Sequence, residues 1–237
     1  ILDYGVIVIS PPINRHSGCG ATRLAGGCAR ADCGMSLIEL LVVIAIMMIG
    51  TALVVPSMGG ILQAGRITQA GETLTGQLRT ARQHAITKNR PVEVRLLKFR
   101  AEGLPAGEAR YGGFQYFEIT EGGTPTAKIP MQRFPVSVFI DSGTPLSSLL
   151  GNASSAVVAP QLMTGTQLGD RLPGIGLDYD AIRFRFLPDG STDLPRSGNW
   201  YLTLHKMTES DGSTEPPANY FTLQIEPSNG HVKIFRP

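Results

Sequence analysis

The 237-residue chain is 42% hydrophobic and carries 21 basic against 19 acidic side chains. That balance excludes a wholly disordered chain and gives no overall charge bias toward nucleic acid. Its three cysteines, Cys19, Cys28 and Cys33, all precede residue 35, so neither a disulfide framework nor a cysteine metal site holds the downstream chain together.

Residues 1–34 carry Arg15, Arg23 and Arg30 against Asp3 and Asp32. From Leu37 to Val55 only Glu39, Gly50 and Thr51 are not apolar. A helix over that run is about 28 Å long, enough to cross a bilayer once. A basic flank before a single span favours an N-terminus left in the cytoplasm, with the rest of the chain outside. A secretory signal peptide places its apolar stretch before the cleavage site; here the order is expected to be reversed.

The carboxylate of Glu39 needs a reason. An acid at the centre of a bilayer costs about 2.5–3.5 kcal/mol, less near the end of a span, and such groups normally have a partner. The segment Gly34-Met35-SLIELLVVIAIMMIG resembles the class III signal of type IV pilins and type II secretion pseudopilins. The resemblance implies that a prepilin peptidase cuts after Gly34 and methylates the new amine on Met35. The family's characteristic acidic residue, fifth in the mature chain, falls on Glu39, and its recurrent proline, twenty-second in the mature chain, falls on Pro56. Met35 departs from the commoner Phe at the first mature position. Cleavage would give Glu39 its partner, because the Met35 ammonium of one copy can meet the Glu39 carboxylate of another among packed helices. Such a contact fixes register more than it adds net stability.

Pro56 lacks an N–H and Gly59 and Gly60 disfavour helix, so a kink or loosening is expected after the span. The resemblance adds melting of this region when subunits pack. Further on, Ile67, Ala70, Leu74, Leu78, Ala81 and Ala85 recur at steps of three or four, the buried stripe of an amphipathic helix. Residues 35–90 are thus read as one long interrupted helix whose second half packs on a sheet.

Beyond TKNRP the period shortens. Strand-like runs occupy 92–99, 114–120, 136–141, 181–187, 200–206, 220–226 and 231–237, with turn chemistry between several of them. In IRFRF, Ile182, Phe184 and Phe186 share one face and Arg183 and Arg185 the other. Asn229-Gly230 is the expected tight reversal of a hairpin from Ile225 to Val232. The stretch 142–177, rich in Gly, Ser, Pro and Leu, reads as a loop insertion with room for a short helix or edge strand. The expected fold class is α+β: a long N-terminal transmembrane and amphipathic helix packed on an antiparallel sheet head (91–237).

LRTARQHAITKNRPVEVRL and the ending IEPSNGHVKIFRP resemble minor pseudopilins of the H type and, more closely, the D-type pilin-like proteins of the Verru_Chthon cassette. The resemblance implies a single-pass inner-membrane protein with a periplasmic or extracytoplasmic head, built into a filament. Its implied partners are prepilin peptidase, other pilin or pseudopilin subunits, a secretion or pilus assembly platform and membrane lipid.

No nucleophile turn, phosphate loop or dinucleotide fingerprint occurs, and His84, His205 and His231 have no ligand-spaced cysteine or carboxylate along the chain, so no enzyme activity, cofactor or metal is expected. Asp178 and Asp180 and the acidic turns near Asp189 and Asp211 could offer oxygen ligands to calcium, as the resemblance allows, but they fit no defined calcium loop, and solvated turns are the preferred reading. Between Arg79 and Arg110 lie eight basic and three acidic residues, the only hint of a nucleic-acid partner. A solvated face is the preferred reading of that run. A DNA-capturing minor pilin and an anchored domain that never polymerises are the rival readings.

Overall fold

The computed structural model describes residues 35–100, 108–154, 156, 158–207 and 211–237, and in the first helix the side chains of residues 52–63 lie outside that description. Helix α1 runs from Leu37 to Lys88. It runs as one helix through Pro56, Gly59 and Gly60. A proline deletes one amide donor and leaves the helical bonds on either side of it to carry the chain on. The helix ends in a reciprocal pair of bonds: Arg90 N donates to Ala85 O and Asn89 N to Ile86 O. Asn89 takes the left-handed conformation (φ 51°) that this closure requires. Pro91 follows, and the chain turns into a strand.

The strands and short helices after it are β1 (Val92–Phe99), β2 (Arg110–Ile119), β3 (Pro125–Ala127), β4 (Gln132–Arg133), β5 (Val138–Ile140), α2 (Ser148–Gly151), β6 (Gln161–Thr164), α3 (Gly165–Leu168), β7 (Asp180–Phe186), β8 (Trp200–Lys206), β9 (Phe221–Ile225) and β10 (Val232–Phe235). The strands form one antiparallel sheet in the order β10-β9-β8-β5-β2-β1-β7-β6, with β3 and β4 pairing on β2. The stretch 142–177 holds α2, the edge strand β6 and α3, more structure than its composition announces. The β9–β10 hairpin is present, but its reversal is wider than a two-residue turn: Glu226 N bonds His231 O and Gly230 N bonds Glu226 O. Only Gly230 of the Asn-Gly pair has positive φ, at 64°. Asn229 instead accepts His231 N on its side-chain oxygen at 2.8 Å.

By contact density the chain divides into two units, Ile1–Ile49 and Gly50–Pro237. Within the second, the helical stripe is core throughout: Ile67, Ala70, Leu74, Leu78, Ala81 and Ala85 are each no more than 3% exposed. They join Val92, Val94 and Leu96 of β1, Phe184 and Phe186 of β7, and Leu202 and Leu204 of β8 in one cluster. Each fully buried Leu or Phe there contributes about 1.5–3 kcal/mol. The opposite face of β1 is buried as well. Leu97 and Phe99 meet Leu172, Tyr179 and Ala181 in a second small cluster that the insertion covers.

Two helical glycines face opposite demands. Gly71 is buried, and a Cβ there would drive into the Phe221 ring, whereas a Cβ at Gly76 would meet nothing. Gly71→Ala is therefore expected to lower stability by about 1–3 kcal/mol, and Gly76→Ala to raise it by up to about 1 kcal/mol. Thermal unfolding of the two variants in detergent checks the opposed signs.

Candidate assembly site at the helix start

The residues expected to carry processing and assembly divide as follows. Gly34 lies outside the described residues. Met35 is 59% exposed, and Glu39 sits in the first turn of α1, exposed and four residues on. Ser36 O accepts Leu40 N at 3.1 Å and starts the helical bonding. Four residues is one turn, so Met35 and Glu39 lie at one end of one helix, where the N-terminal dipole favours a carboxylate. Pro56 lies in the helix interior, and its side chain is outside the description.

The helix around Glu39 is apolar on every side. Leu37, Ile38, Leu40, Leu41, Val42, Ile44 and Ile46 are exposed in all directions, with Leu37 at 81%. A helix apolar all round belongs inside a protein assembly or a membrane rather than in water. Among the described residues no helix is long and apolar enough to cross a membrane. The span expected at 37–55 runs into residues 52–55, whose side chains are not described. Among the described residues Glu39 makes no ion pair.

Two acids of the head, Glu93 and Glu118, are paired with several cations of the same chain. Glu93, 1% exposed on β1, accepts Arg95 Nε on Oε1 at 2.7 Å. Its Oε2 accepts Arg183 at 3.0 Å and Arg185 at 3.0 and 3.1 Å. Burial pushes the Glu93 carboxyl up, but the surrounding guanidiniums outweigh it and hold it below the ordinary glutamate value. Arg95 also bonds Asp170 of the insertion and lies over the Phe117 ring, 3.8 Å from its centre. Glu118 on β2 accepts His84 Nε2 at 2.7 Å, Lys128 Nζ at 3.0 Å and Arg90 at 3.4 Å. Hydrogen bonds from His84 and Lys128 hold its carboxyl down at about 2.

These pairings disperse the basic run of residues 79–110. Arg90, Arg95, Arg100 and Arg110 face carboxylates of Glu118 and Glu121, Glu93 and Asp170, Asp178, and Glu108. Arg79 and Arg82 donate to the backbone oxygens of Val232, Gly190 and Asn229. Arg95 is only 2% exposed, so it offers no phosphate contact.

One cluster escaped the sequence reading. Asp141 and His205 are 0% and 1% exposed, and Asp211 is partly buried beside them. They come together because β5 pairs with β8, Phe139 opposite His205 and Ile140 opposite Leu204, which sets Asp141 just past the strand end. No spacing along the chain could show it, since the three residues come from separate segments. Of the three, the sequence marks only Asp211 as a solvated turn, and here its carboxylate accepts Ser142 N and Ser142 Oγ.

Residues 29–55 match the model of the prokaryotic N-terminal methylation motif. No curated protein matches the full sequence significantly. Among solved structures, the type IV minor pilin FimU of Pseudomonas aeruginosa overlaps with TM-score 0.40 and 13% identity, over 73% of this chain and 93% of that one. The minor pseudopilin EpsH of the Vibrio cholerae type 2 secretion system overlaps with TM-score 0.39 and 8% identity, over 73% and 98%. The chain thus has a match to an N-terminal methylation motif at the start of a long helix, followed by an antiparallel sheet head.

The low Glu118 value sets a pH dependence. A folded-state carboxyl held at about 2, below its ordinary 4.5, adds stability that is fully present above pH 4.5 and is lost as pH falls toward 2. Glu118→Gln is expected to lower the urea midpoint clearly at pH 7 and hardly at all near pH 2. A gap that stays constant from pH 7 to pH 2.5 contradicts that origin.

Proposed function

We propose that the chain is a structural subunit, a minor pilin or pseudopilin, of a type IV pilus or type II secretion pseudopilus. The single observation that carries this is the methylation-motif match over residues 29–55, which overlies the start of α1, the helix whose first turn holds Glu39. In this reading prepilin peptidase removes residues 1–34 and methylates the Met35 amine. The helix then holds the subunit in the inner membrane, with the head (91–237) on the extracytoplasmic side. Other pilin or pseudopilin subunits and an assembly platform are its partners.

The mechanism follows from charge in a greasy setting. A cleaved Met35 carries an ammonium, and Glu39 one turn away carries a carboxylate, so side-by-side copies staggered by one turn pair the two across helices. Away from water the attraction is strong, while desolvation cancels much of the net gain. What remains is directional: only one stagger satisfies both charges. The all-round apolar surface of residues 37–49 holds neighbouring helices or lipid without regard to rotation, and the charge pair selects one register. Nucleic-acid capture is not part of this proposal, because Arg90 and Arg95 already have carboxylate partners.

Mass spectrometry of the chain purified from its native membrane is expected to find a start at Met35 with one added methyl group. Gly34→Leu is expected to leave an uncut precursor. Glu39→Ala is expected to be cleaved normally yet to be missing from sheared filaments. A native chain that keeps residues 1–34, or a Glu39→Ala chain recovered in filaments at the native level, overturns the reading.

A further inference from the structure

We propose that Asp141, His205 and Asp211 bind one divalent transition-metal ion of the zinc class. Their ligand atoms all lie within 4.8 Å of one another. His205 Nε2 is 3.2 Å from Asp141 Oδ2. Two ligands of a tetrahedral zinc, each about 2.0–2.1 Å from the metal, stand about 3.3–3.4 Å apart. The observed 3.2 Å is close to that separation, so an ion can enter with little movement of either side chain.

The ring orientation is independent of the carboxylates. His205 Nδ1 lies 2.9 Å from Lys206 O. A carbonyl only accepts, so Nδ1 carries the proton and donates to it. Nε2, turned toward Asp141, is the nitrogen that a neutral ring presents to a metal, and a backbone carbonyl on the other nitrogen is the usual outer support of a metal-bound histidine. Both carboxylates have outer support too. Asp141 accepts Gly143 N at 2.7 Å and Gly212 N at 2.9 Å. Asp211 accepts Ser142 N and Ser142 Oγ, each at 2.8 Å.

Charge favours the ion over a plain pair. Two carboxylates and a protonated imidazole sum to one negative charge at a largely buried spot, whereas two carboxylates, a neutral imidazole and a divalent cation sum to zero. An imidazole ligand suits zinc or cobalt better than calcium, which takes oxygen only. A bound ion would tie the end of β5 and the end of β8 to the turn at residues 211–212.

The test uses the untagged full-length chain in detergent, titrated with Zn²⁺ alone and with Co²⁺ alone. The native chain is expected to retain one zinc more per molecule than His205→Gln or Asp211→Asn, which sets aside any metal on the cysteines of residues 1–34. Its Tm is expected to rise about 5–10 °C at a hundredfold excess over Kd, reversibly with chelator. Co²⁺ is expected to give visible ligand-field absorption that Asp211→Asn lacks. Asp211 is only partly buried, so that variant is expected to keep its native circular dichroism. Equal zinc retention by native and Asp211→Asn chains overturns the proposal, as does a zinc-insensitive Tm or stabilisation by Ca²⁺ but not Zn²⁺. Each of these outcomes is independent of N-terminal cleavage and filament assembly.

Discussion

The fold depends on one constraint: β1 is buried on both faces and must satisfy both. Toward α1 it presents Val92, Val94 and Leu96, and away from α1 it presents Glu93, Arg95 and Leu97. The first set only needs area removed from water, which the stripe of α1 supplies. The second contains a carboxylate and a guanidinium at 1% and 2% exposure, which need specific partners. Arg183 and Arg185 on the neighbouring β7 supply them, and Asp170 from the insertion completes the set. The insertion is therefore held to the sheet by charge as well as by Leu172 and Tyr179.

Such a network adds little net stability over an apolar equivalent, because each ion loses its hydration on burial. Its use is positional. Glu93 sits opposite Arg185 in the β1–β7 register, and Arg95 opposite Arg183. A slip of one residue would turn Arg183 and Arg185 into the apolar core and Phe184 out of it. The alternation of IRFRF thus encodes register twice, once by its phenylalanines and once by its arginines.

What the sequence made legible was whatever repeats locally. The 3.6-residue period of Ile67 to Ala85, the alternation of 181–186, the strand-like runs at 92–99 and 200–206 and the Asn229-Gly230 turn each need only a short window, and the second half of α1, β7, β1, β8 and the β9–β10 pairing follow from them. The first residues of β2 were hidden by Gly112 and Gly113, which weaken strand propensity; here Gly113 lies so close to Gln132 O that a Cβ would stand 2.7 Å from it. The strands β3, β4 and β6 have only two to four residues, too few to show a period. The polar groupings were hidden for a different reason. Glu118 and His84, or Asp141, His205 and Asp211, are brought together by strand pairing and by the packing of α1, so their chemistry exists only after the fold does. The basic run of 79–110 shows the opposite: close in sequence, its Arg90, Arg95, Arg100 and Arg110 are spread by the fold onto separate acids.

Glu39 and Glu93 show how the same side chain serves two ends. Glu93 is enclosed by cations of its own chain, and its charge is settled when the domain folds. Glu39 stands on a helix that is apolar on every side and, among the described residues, makes no ion pair. A carboxylate settled by folding specifies a structure. In the function proposed above, one left unsettled on an apolar rod selects a neighbour, because a helix that covers the apolar surface in register and brings a positive charge satisfies both demands. The N-terminal amine of a cleaved copy is such a charge, and it exists only after processing, so a precursor that keeps residues 1–34 cannot supply it. In that proposal cleavage creates the charge that assembly uses.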